Sequence, residues 1–144
     1  MQESEWVVVL EASEEDNEVF VRCPDLPEVL SAGRSTAEAL VNAEDAVVVA
    51  IAGRMKDETD VPSPRAAARG DTVVVLPAAF AAKLAVWRLW RRSGLTKVAL
   101  AEQLGLAEAE VRRILDPAKR TKLDRLDAVA RVLGRRLTIE SIAA

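Results

Sequence analysis

The feature that most constrains the fold is a change of residue pattern at Pro77. Before Pro77, β-branched apolar runs alternate with turn-forming residues and one long helical stretch, whereas beyond it apolar residues recur mostly at helical spacing. The chain has 144 residues, 50% of them hydrophobic, which is enough for one ordinary domain or two small ones. We therefore predict an α+β domain over residues 1–76 and an all-α domain over residues 77–144.

Four apolar, β-branched runs in the first part predict strands, at Trp6–Ala12, Glu18–Cys23, Glu28–Ala32 and Asp71–Leu76. The first two runs are joined by a polar turn, which indicates a β-hairpin. Pro24 and Pro27 are expected to end the second strand, because proline has no N–H to donate to a neighbouring strand. The order predicts a hairpin, a third strand, and a strand that returns after a helix.

One long helix is predicted between the third and fourth strands. Ser35 and Glu38 have the spacing of a capping box, in which the serine hydroxyl accepts from a backbone N–H of the first turn. Apolar residues then recur at helical spacing through about Lys56, and the expected inward positions are Leu40, Ala43, Val47, Val48, Ile51 and Met55. The helix should therefore pack on one face of the sheet.

The strongest motif is a helix-turn-helix pattern in residues 94–114, between helices predicted at Ala78–Arg92 and Leu123–Gly134. Thr96 is suited to cap a short helix, and Gly105 stands where the turn between helices requires a positive φ. The predicted inward residues are Val98, Ala101 and Leu104 in the first helix and Leu106, Val111 and Ile114 in the second. The segment Leu137–Ile142 is compatible with a short strand.

A helix-turn-helix motif places its second helix in the major groove of DNA. Arg113 is the first candidate for a base contact, since a guanidinium bonds bidentately to guanine. Glu108 is equally suited to accept from cytosine and to favour a helix N-terminus by its charge. The full predicted DNA-binding set, phosphate contacts included, is Thr96, Lys97, Ala107, Glu108, Ala109, Arg112, Arg113, Lys119, Arg120 and Lys122. The alternative is an ordinary helical bundle with a solvated basic face.

The net charge of −3 conceals two halves of opposite sign. Residues 1–70 hold 6 Lys/Arg and 15 Asp/Glu, a net charge of −9, and residues 71–144 hold 14 and 8, a net charge of +6. The first half suits a basic partner, and the second has the balance of a surface that contacts phosphates. We therefore predict two functions on two domains.

Composition excludes several classes of function. The chain has no histidine, which excludes a Ser-His-Asp triad and zinc sites with imidazole ligands. Its one cysteine, Cys23, cannot form an internal disulfide and fits a buried thiol in a reducing compartment. The acidic N-terminus lacks the pattern of a signal peptide, and the longest apolar run, residues 46–52, is too short to cross a bilayer. We predict a cytoplasmic protein with no membrane contact and no cofactor.

A metal-dependent nuclease is the catalytic hypothesis that the acidic half raises. The carboxylates that in principle hold magnesium are Glu11, Glu14, Glu15, Asp16 and Asp25. Most of them lie in or beside the predicted hairpin turn, and no spacing fixes them around one point. We therefore predict no catalytic residues and no metal site.

Two resemblances add to these predictions. Residues from about Leu84 to Arg135 resemble the Cro/XRE-type helix-turn-helix domains, which are bundles of about five helices, although Lys97 and Ala107 replace the usual glutamine and polar cap. The stretch from Cys23-Pro-Asp-Leu-Pro27 through a glycine-containing turn to Glu38-Ala-Leu40 and Asn42-Ala43 resembles the signature of the HicB antitoxin family. With the later Pro62-Ser-Pro64 segment and the attached helix-turn-helix, this second resemblance covers nearly the whole chain.

The HicB resemblance implies a type II toxin–antitoxin system. It implies an N-terminal domain with a partial RNase H-like fold that lacks nuclease activity and neutralises a small basic HicA toxin, which cleaves mRNA. The C-terminal domain would bind the operator of its own operon and repress it. The expected toxin-binding residues are Asp16, Asp25, Leu26, Pro27 and Glu28. The alternative for Leu26 and the prolines is a rigid loop packed on the sheet.

Operators read by such motifs have two half-sites about one helical turn apart, so we expect a homodimer or tetramer. The segment Arg136–Ile142 is one candidate for a dimerising strand, and the apolar helix faces of the second half are another. A different reading of the whole chain is a stand-alone transcriptional regulator whose N-terminal domain senses a small molecule.

Overall fold

The β-branched runs before Pro77 pair into one antiparallel sheet. In the computed structural model, which describes residues 3–144, the strands are β1 (Glu5–Ser13), β2 (Glu18–Cys23), β3 (Leu26–Gly33) and β4 (Thr72–Val75), in the order β3-β2-β1-β4. β1 pairs antiparallel with both β2 and β4, and β2 pairs antiparallel with β3. The predicted hairpin, third strand and returning strand are confirmed.

The third strand begins earlier than its sequence predicts. β3 starts at Leu26, which pairs with Cys23, and it includes Pro27. Proline is tolerated there because β3 is an edge strand, where no neighbour needs the missing N–H. The second strand ends at Cys23, directly before Pro24, as predicted, but Pro27 lies within β3 and takes no part in ending it. The turn between the strands consists only of Pro24 and Asp25.

The predicted long helix, α1 (Thr36–Lys56), covers one face of this sheet. The Ser35 hydroxyl caps it by accepting from the Glu38 N–H at 3.1 Å. Its buried residues, at most 2% exposed, follow one another at every fourth position: Ala39, Ala43, Val47, Ile51 and Met55. Leu40 and Val48, predicted to face inward, are only partly buried, because each lies one position beyond a member of this buried row, Ala39 or Val47.

Small residues bring the start of α1 close to the sheet. A Cβ atom on Gly33 would lie 2.4 Å from the backbone nitrogen of Ala39, so only glycine fits at the end of β3. Below α1 the sheet contributes Trp6, Val21 and Leu26, each at most 1% exposed. These side chains form the hydrophobic core of the α+β part.

Helices account for the regular structure after Pro77. They are α2 (Ala78–Ser93), α3 (Lys97–Leu104), α4 (Glu108–Leu115) and α5 (Leu123–Val132). Their core is made of large apolar side chains that are at most 3% exposed: Leu84, Val86, Trp87, Leu100, Val111, Ile114, Leu126 and Val129. The predicted fold class, an antiparallel sheet with a helix followed by an all-helical region, is confirmed.

Three details of the helical part differ from prediction. The described residues 78–144 form the four helices that their spacing predicts, whereas the Cro/XRE resemblance implies about five, since Gly134 with φ +82° ends α5 and no helix follows among them. The segment Leu137–Ile142 pairs with no strand among the described residues. Val98, predicted to face inward, is 50% exposed, because the buried face of α3 is formed by Leu100 and Ala101.

The chain divides into two compact units, Met1–Pro77 (unit 1) and Ala78–Ala144 (unit 2). This division lies one residue from the boundary that the sequence predicts. Within residues 3–144, no helix has the length and hydrophobicity that spanning a membrane requires.

Candidate functional site

The turn between α3 and α4 in unit 2 has the local structure that its sequence predicts. The Thr96 hydroxyl accepts from the Ala99 N–H at 3.0 Å, which begins α3. Gly105 ends α3 in the left-handed conformation, with φ +67°. The N–H groups of Leu106 and Gly105 then donate to the carbonyls of Ala101 and Glu102, the paired bonds of a Schellman motif. These bonds fix the direction in which α4 leaves the turn.

Helix α4 buries one side and exposes the other. Val111, Ile114 and Leu115 are at most 4% exposed and pack into unit 2. The exposed side carries Ala109, Arg112 and Arg113, and Ala107 at the N-cap is exposed too. Ala107 forms no side-chain cap bond, as its residue type predicts. The predicted reading residues therefore lie on the outer face of a single two-turn helix.

The two arginines of α4 differ in their surroundings. Arg112 donates from Nε and Nη2 to Glu108 Oε1 at 3.1 and 2.8 Å, an ion pair across one helical turn. Among residues 3–144 the Arg113 guanidinium has no ion-pair partner, and its side chain is exposed. Arg113 is thus available to a ligand, whereas the side chains of Arg112 and Glu108 are bonded to each other.

The remaining predicted contacts flank α4 on both sides. Lys97 at the start of α3 holds its ammonium 5.6 Å from the centre of the Trp90 ring, a cation–π distance. After α4, the loop of residues 116–122 turns through a bond from the Lys119 N–H to the Asp116 carbonyl. The cations that this loop exposes are Lys119, Arg120 and Lys122. The predicted DNA-binding set therefore lies in α3 and its N-cap, in α4 and its N-cap, and in the loop that follows α4.

Two acidic residues at the junction of β2 and β3 in unit 1, one in the turn and one in β3, are engaged in ion pairs. Asp25 accepts from the backbone N–H, Nε and Nη2 of Arg65 at 2.9 to 3.2 Å, and these bonds hold the pKa of Asp25 below its ordinary value. Glu28 accepts from both Nε and Nη2 of Arg54, at 2.7 and 2.8 Å, which likewise lowers its pKa. The turn is thereby tied to the 57–71 connection and to the end of α1.

The five predicted toxin contacts do not form one surface. Leu26 is 0% exposed, so its side chain belongs to the core and is not available to a partner. Asp16 lies in the turn before β2, where its carboxylate accepts from the Ser13 hydroxyl, whereas Asp25 lies in the turn after β2. The six residues of β2, at about 3.3 Å each, separate the two turns by roughly 20 Å. Pro27 and Glu28 are exposed on β3.

Comparison with known proteins decides between the two interpretations of the whole chain, an antitoxin and a ligand-sensing regulator. A family model described as "HicB_like antitoxin of bacterial toxin-antitoxin system" matches residues 5–85. Antitoxin HicB of Pseudomonas fluorescens (strain Pf0-1) is 34% identical over 136 residues, which cover 94% of this chain and 93% of that protein. The chain belongs to the HicB-like antitoxin family.

Other members of the family match over similar lengths. Antitoxin HicB 1 of Photorhabdus laumondii is 35% identical, covering 93% of this chain and 84% of that one, and Antitoxin HicB of Escherichia coli (strain K12) is 29% identical, covering 80% and 83%. The crystal structure of the N-terminal domain of Burkholderia pseudomallei antitoxin HicB aligns with 51% of this chain and 96% of its own, at 18% identity and a TM-score of 0.42. Membership makes this chain a non-enzymatic antitoxin and disfavours the ligand-sensing regulator.

The acidic half of this HicB-family antitoxin offers no assembled metal centre. Among residues 3–144 no three Cys, Asp or Glu side chains are grouped to hold an ion. Glu11 pairs across the sheet with Arg22 at 3.5 Å, and Asp25 is taken by Arg65. Cys23 is 1% exposed, and its burial raises the pKa of the thiol. A nuclease reading therefore has no site among these residues.

Two residues of this antitoxin were missed by sequence reasoning. Arg54 and Arg65 hold Glu28 and Asp25 across 26 and 40 residues of sequence. In the sequence, Arg54 and Arg65 stand out only as isolated cations within an acidic half. No short-range spacing links them to their partners, so the sequence does not identify the two ion pairs. Such pairs become visible only when the fold is known.

Proposed function

We propose that this antitoxin neutralises a small basic toxin of the HicA type, an mRNA-cleaving protein, and represses its own operon by binding operator DNA. The observation that supports the first activity is similarity to proteins called Antitoxin HicB over 93% or more of this chain. The charge of −9 in residues 1–70 complements a toxin whose RNA-binding surface is positive. Both activities belong in the cytoplasm, where mRNA and operator DNA are found.

The outer face of α1 supplies a surface for the toxin besides the predicted residues. Opposite its buried row, α1 exposes Glu38, Val41, Asp45 and Val49 at successive turns. Val41 and Val49 are 64% and 70% exposed, so two apolar side chains lie in water beside two carboxylates. A basic protein with an apolar centre to its contact surface matches this mixture. Of the predicted set, the exposed Asp16, Pro27 and Glu28 remain candidates.

The toxin-binding activity is tested by co-expressing a tagged copy with the small open reading frame adjacent to its gene. We expect the neighbour alone to arrest growth, and a stable complex to purify when both are made. The double variant D45K/V49K should weaken that complex strongly, because it places two cations against a basic partner. The control D57K reverses the charge of an exposed acid just beyond the end of α1, outside both the proposed surface and the predicted toxin contacts. Growth without toxicity and without a complex would contradict the proposal.

Operator binding is supported by the helix-turn-helix geometry of unit 2. The Thr96 cap and the Gly105 turn present α4 with Arg113 exposed and unengaged, beside the cations at 119, 120 and 122. In our proposal Arg113 reads a base, while Lys97, Lys119, Arg120 and Lys122 contact phosphates. The test is a gel-shift titration with the duplex upstream of the gene against a scrambled duplex. Equal affinity for both would leave nonspecific binding only.

We further propose that the chain acts as a homodimer or tetramer, since two half-sites require two copies of α4. The C-terminal segment supports this proposal, because Ile139 and Ile142 are 79% and 45% exposed in a stretch without a strand partner among the described residues. Two such segments from two copies can pair as strands and bury these side chains. Removal of residues 137–144 should then lower the mass measured by light scattering to that of a smaller species.

Toxin binding and repression are proposed to be linked through the pairing of unit 2 domains. Toxin bound to unit 1 of each copy would change how two copies of α4 are presented to the operator, so the toxin:antitoxin ratio would tune repression. The measurement is operator affinity at several toxin ratios. The same affinity at every ratio would remove this link and leave the two activities independent.

A further inference from the structure

Lys83 is a charged residue in the core of unit 2. It lies in α2 and is only 4% exposed, which is rare for lysine because an ammonium is costly to remove from water. Its Nζ donates to three oxygens: the carbonyl of Arg113 at 3.3 Å, the carbonyl of Asp116 at 3.1 Å and the hydroxyl of Thr121 at 2.7 Å. These three bonds match the three donors of an ammonium.

The three acceptors lie on the part of unit 2 that carries the candidate DNA contacts. Arg113 is in the last turn of α4, where backbone carbonyls have no partner within the helix and the helix dipole favours a cation. Asp116 begins the 116–122 loop, and Thr121 stands between Arg120 and Lys122 near its end. One ammonium therefore joins the end of α4 to both ends of the loop that follows it.

We propose that Lys83 is a positioning residue for operator binding, which holds the 116–122 loop against the end of α4 so that Arg113 and the loop cations meet the DNA together. This inference rests on the operator-binding part of the proposed function. A residue needed only to fill the core would not require a charge, since an apolar side chain of similar length fills the same space without the cost of desolvation.

The charge of Lys83 can be removed without mutation, because burial lowers its pKa to about 8. Asp116 is the charged group that opposes this shift, and the other groups that face the ammonium are neutral oxygens. Above pH 8 the amine becomes neutral and its bonds to the carbonyls weaken. DNA phosphates bound nearby favour the charged form, so binding takes up a proton and operator affinity falls as pH rises through 8.

Few other groups of this chain titrate in that window. The chain has no histidine, and Cys23, whose pKa is raised from 9.0, lies in unit 1. An α-amino group has an ordinary pKa of about 7.7 to 8.0, and a Lys83 variant keeps that group, so the variant separates the two effects. A pH effect that disappears with Lys83 therefore belongs to Lys83.

The experiment measures binding of the full chain to the duplex upstream of its gene, by fluorescence anisotropy at pH 7, 8 and 9 and at several salt concentrations. For the wild type we expect an affinity loss of about tenfold from pH 7 to 9, the effect of one linked proton. K83M should bind about tenfold more weakly at pH 7 and lose the pH dependence. Its affinity should also fall less steeply with salt concentration, by the equivalent of about one phosphate contact. K56M, which removes an exposed lysine of unit 1, should match the wild type.

A second variant, T121V, tests the same inference if K83M does not fold. T121V keeps the ammonium but removes one acceptor that favours the charged form, so the fall in affinity should begin at lower pH than in the wild type. K83R, which stays charged throughout, should bind without dependence on pH. Circular dichroism of each variant verifies that its helices are formed.

The outcomes separate this inference from the proposed function. If the wild type does not bind the duplex, the repressor function itself fails. If the wild type binds, but with the same affinity from pH 7 to 9, and K83M or T121V equals it, the positioning role of Lys83 is overturned while operator binding stands. A loss of affinity in K83M that retains the wild-type pH profile also overturns it, because the titrating group is then another one.

Discussion

The turn between β2 and β3 in unit 1 and the α3–α4 region of unit 2 hold their charged side chains in opposite ways. Asp25 in the turn and Glu28 just beyond it in β3 bond to arginines 40 and 26 residues away in sequence. In α4, Arg112 bonds to Glu108 one helical turn earlier, and Arg113 remains exposed without an ion pair among the described residues. The first arrangement joins distant segments of the fold, and the second keeps cations on the surface.

This difference shows that charged residues clustered in a sequence can belong either to the folded framework or to a binding surface. Charges that are satisfied by distant partners are part of the folded framework, and a ligand would have to break those bonds to use them. Charges that are exposed, or engaged only with a neighbour on the same helix, can be redirected to a ligand at little cost. We therefore expect changes in the turn to affect stability and changes on α4 to affect binding.

The largest effect should come from Leu26, because it is a core residue directly after the turn. L26A should reduce the free energy of unfolding by about 2 to 5 kcal/mol, the range for removing a fully buried leucine side chain. Urea denaturation followed by circular dichroism measures this loss. The neighbouring P27A is the matched control, since Pro27 is exposed and on an edge strand. If L26A is as stable as the wild type but no longer binds the toxin, Leu26 is a toxin contact rather than only a core residue.

Arg113 should show the reverse behaviour, with a loss of binding and no loss of stability. R113A should weaken binding to the preferred operator by about 1 to 3 kcal/mol and leave affinity for scrambled DNA nearly unchanged, if Arg113 reads guanine. Titrations with both duplexes provide the measurement. R112A is the control, because Arg112 is expected to contact a phosphate and its loss should lower affinity for both duplexes alike. An unchanged preference in R113A would remove it from the reading residues.

Acid should weaken unit 1 through the ion pairs of the turn. The pKa values of Asp25 and Glu28 lie below their ordinary values of 3.8 and 4.5, so the pairs stabilise the fold fully above about pH 5 and this contribution is lost as pH falls through the lowered pKa values. For Asp25 the loss is small, because the arginine side of the pair is exposed and screened by solvent. Urea denaturation of unit 1 at pH 7 and pH 3 measures it. D25N should be less stable at pH 7 and less sensitive to acid, whereas equal acid sensitivity would contradict the assignment.

The smallest expected effect concerns the local pair on α4. E108Q releases Arg112 and removes a negative charge from the surface that we propose faces DNA, so nonspecific affinity at low salt should rise by about twofold to threefold. Stability should fall by only about 0.5 kcal/mol, because the i, i+4 pair and the favourable charge at the helix N-terminus are both exposed. Binding at low and high salt, with D45N as a charge-matched control in unit 1, tests this. Weaker binding in E108Q would indicate that Glu108 itself contacts a base.

Local rules explain which parts of the fold were predictable. The caps at Ser35 and Thr96 and the turn at Gly105 depend on residues within a few positions of one another, and all three are confirmed. The β-branched runs predicted the four strands, and the helical spacing predicted the four helices beyond Pro77. On the DNA side, exposure of Arg112 and Arg113 follows from the same periodicity, although DNA binding itself stays a prediction.

What could not be predicted depends on tertiary contacts. The strand β3 extends through Pro27 only because it lies at the edge of the sheet, and Leu26 is buried only because α1 packs over that end. The partners of Asp25 and Glu28 are far away in sequence, so spacing could not reveal them. Lys83 resembled a surface cation on an amphipathic helix, and its burial results from the position of the 116–122 loop.

The contact between Lys97 and Trp90 gives the antitoxin an optical reporter of its own. The chain has no tyrosine and three tryptophans, of which Trp87 and Trp90 are edge to face in unit 2 with ring centres 6.4 Å apart, while Trp6 lies in the core of unit 1. If Lys97 contacts a phosphate as proposed, its ammonium leaves the Trp90 ring, the electric field at that indole changes and its emission shifts. The proposed binding to DNA could then be timed in a stopped-flow instrument without any attached dye, against the constant background of a tryptophan in the other unit.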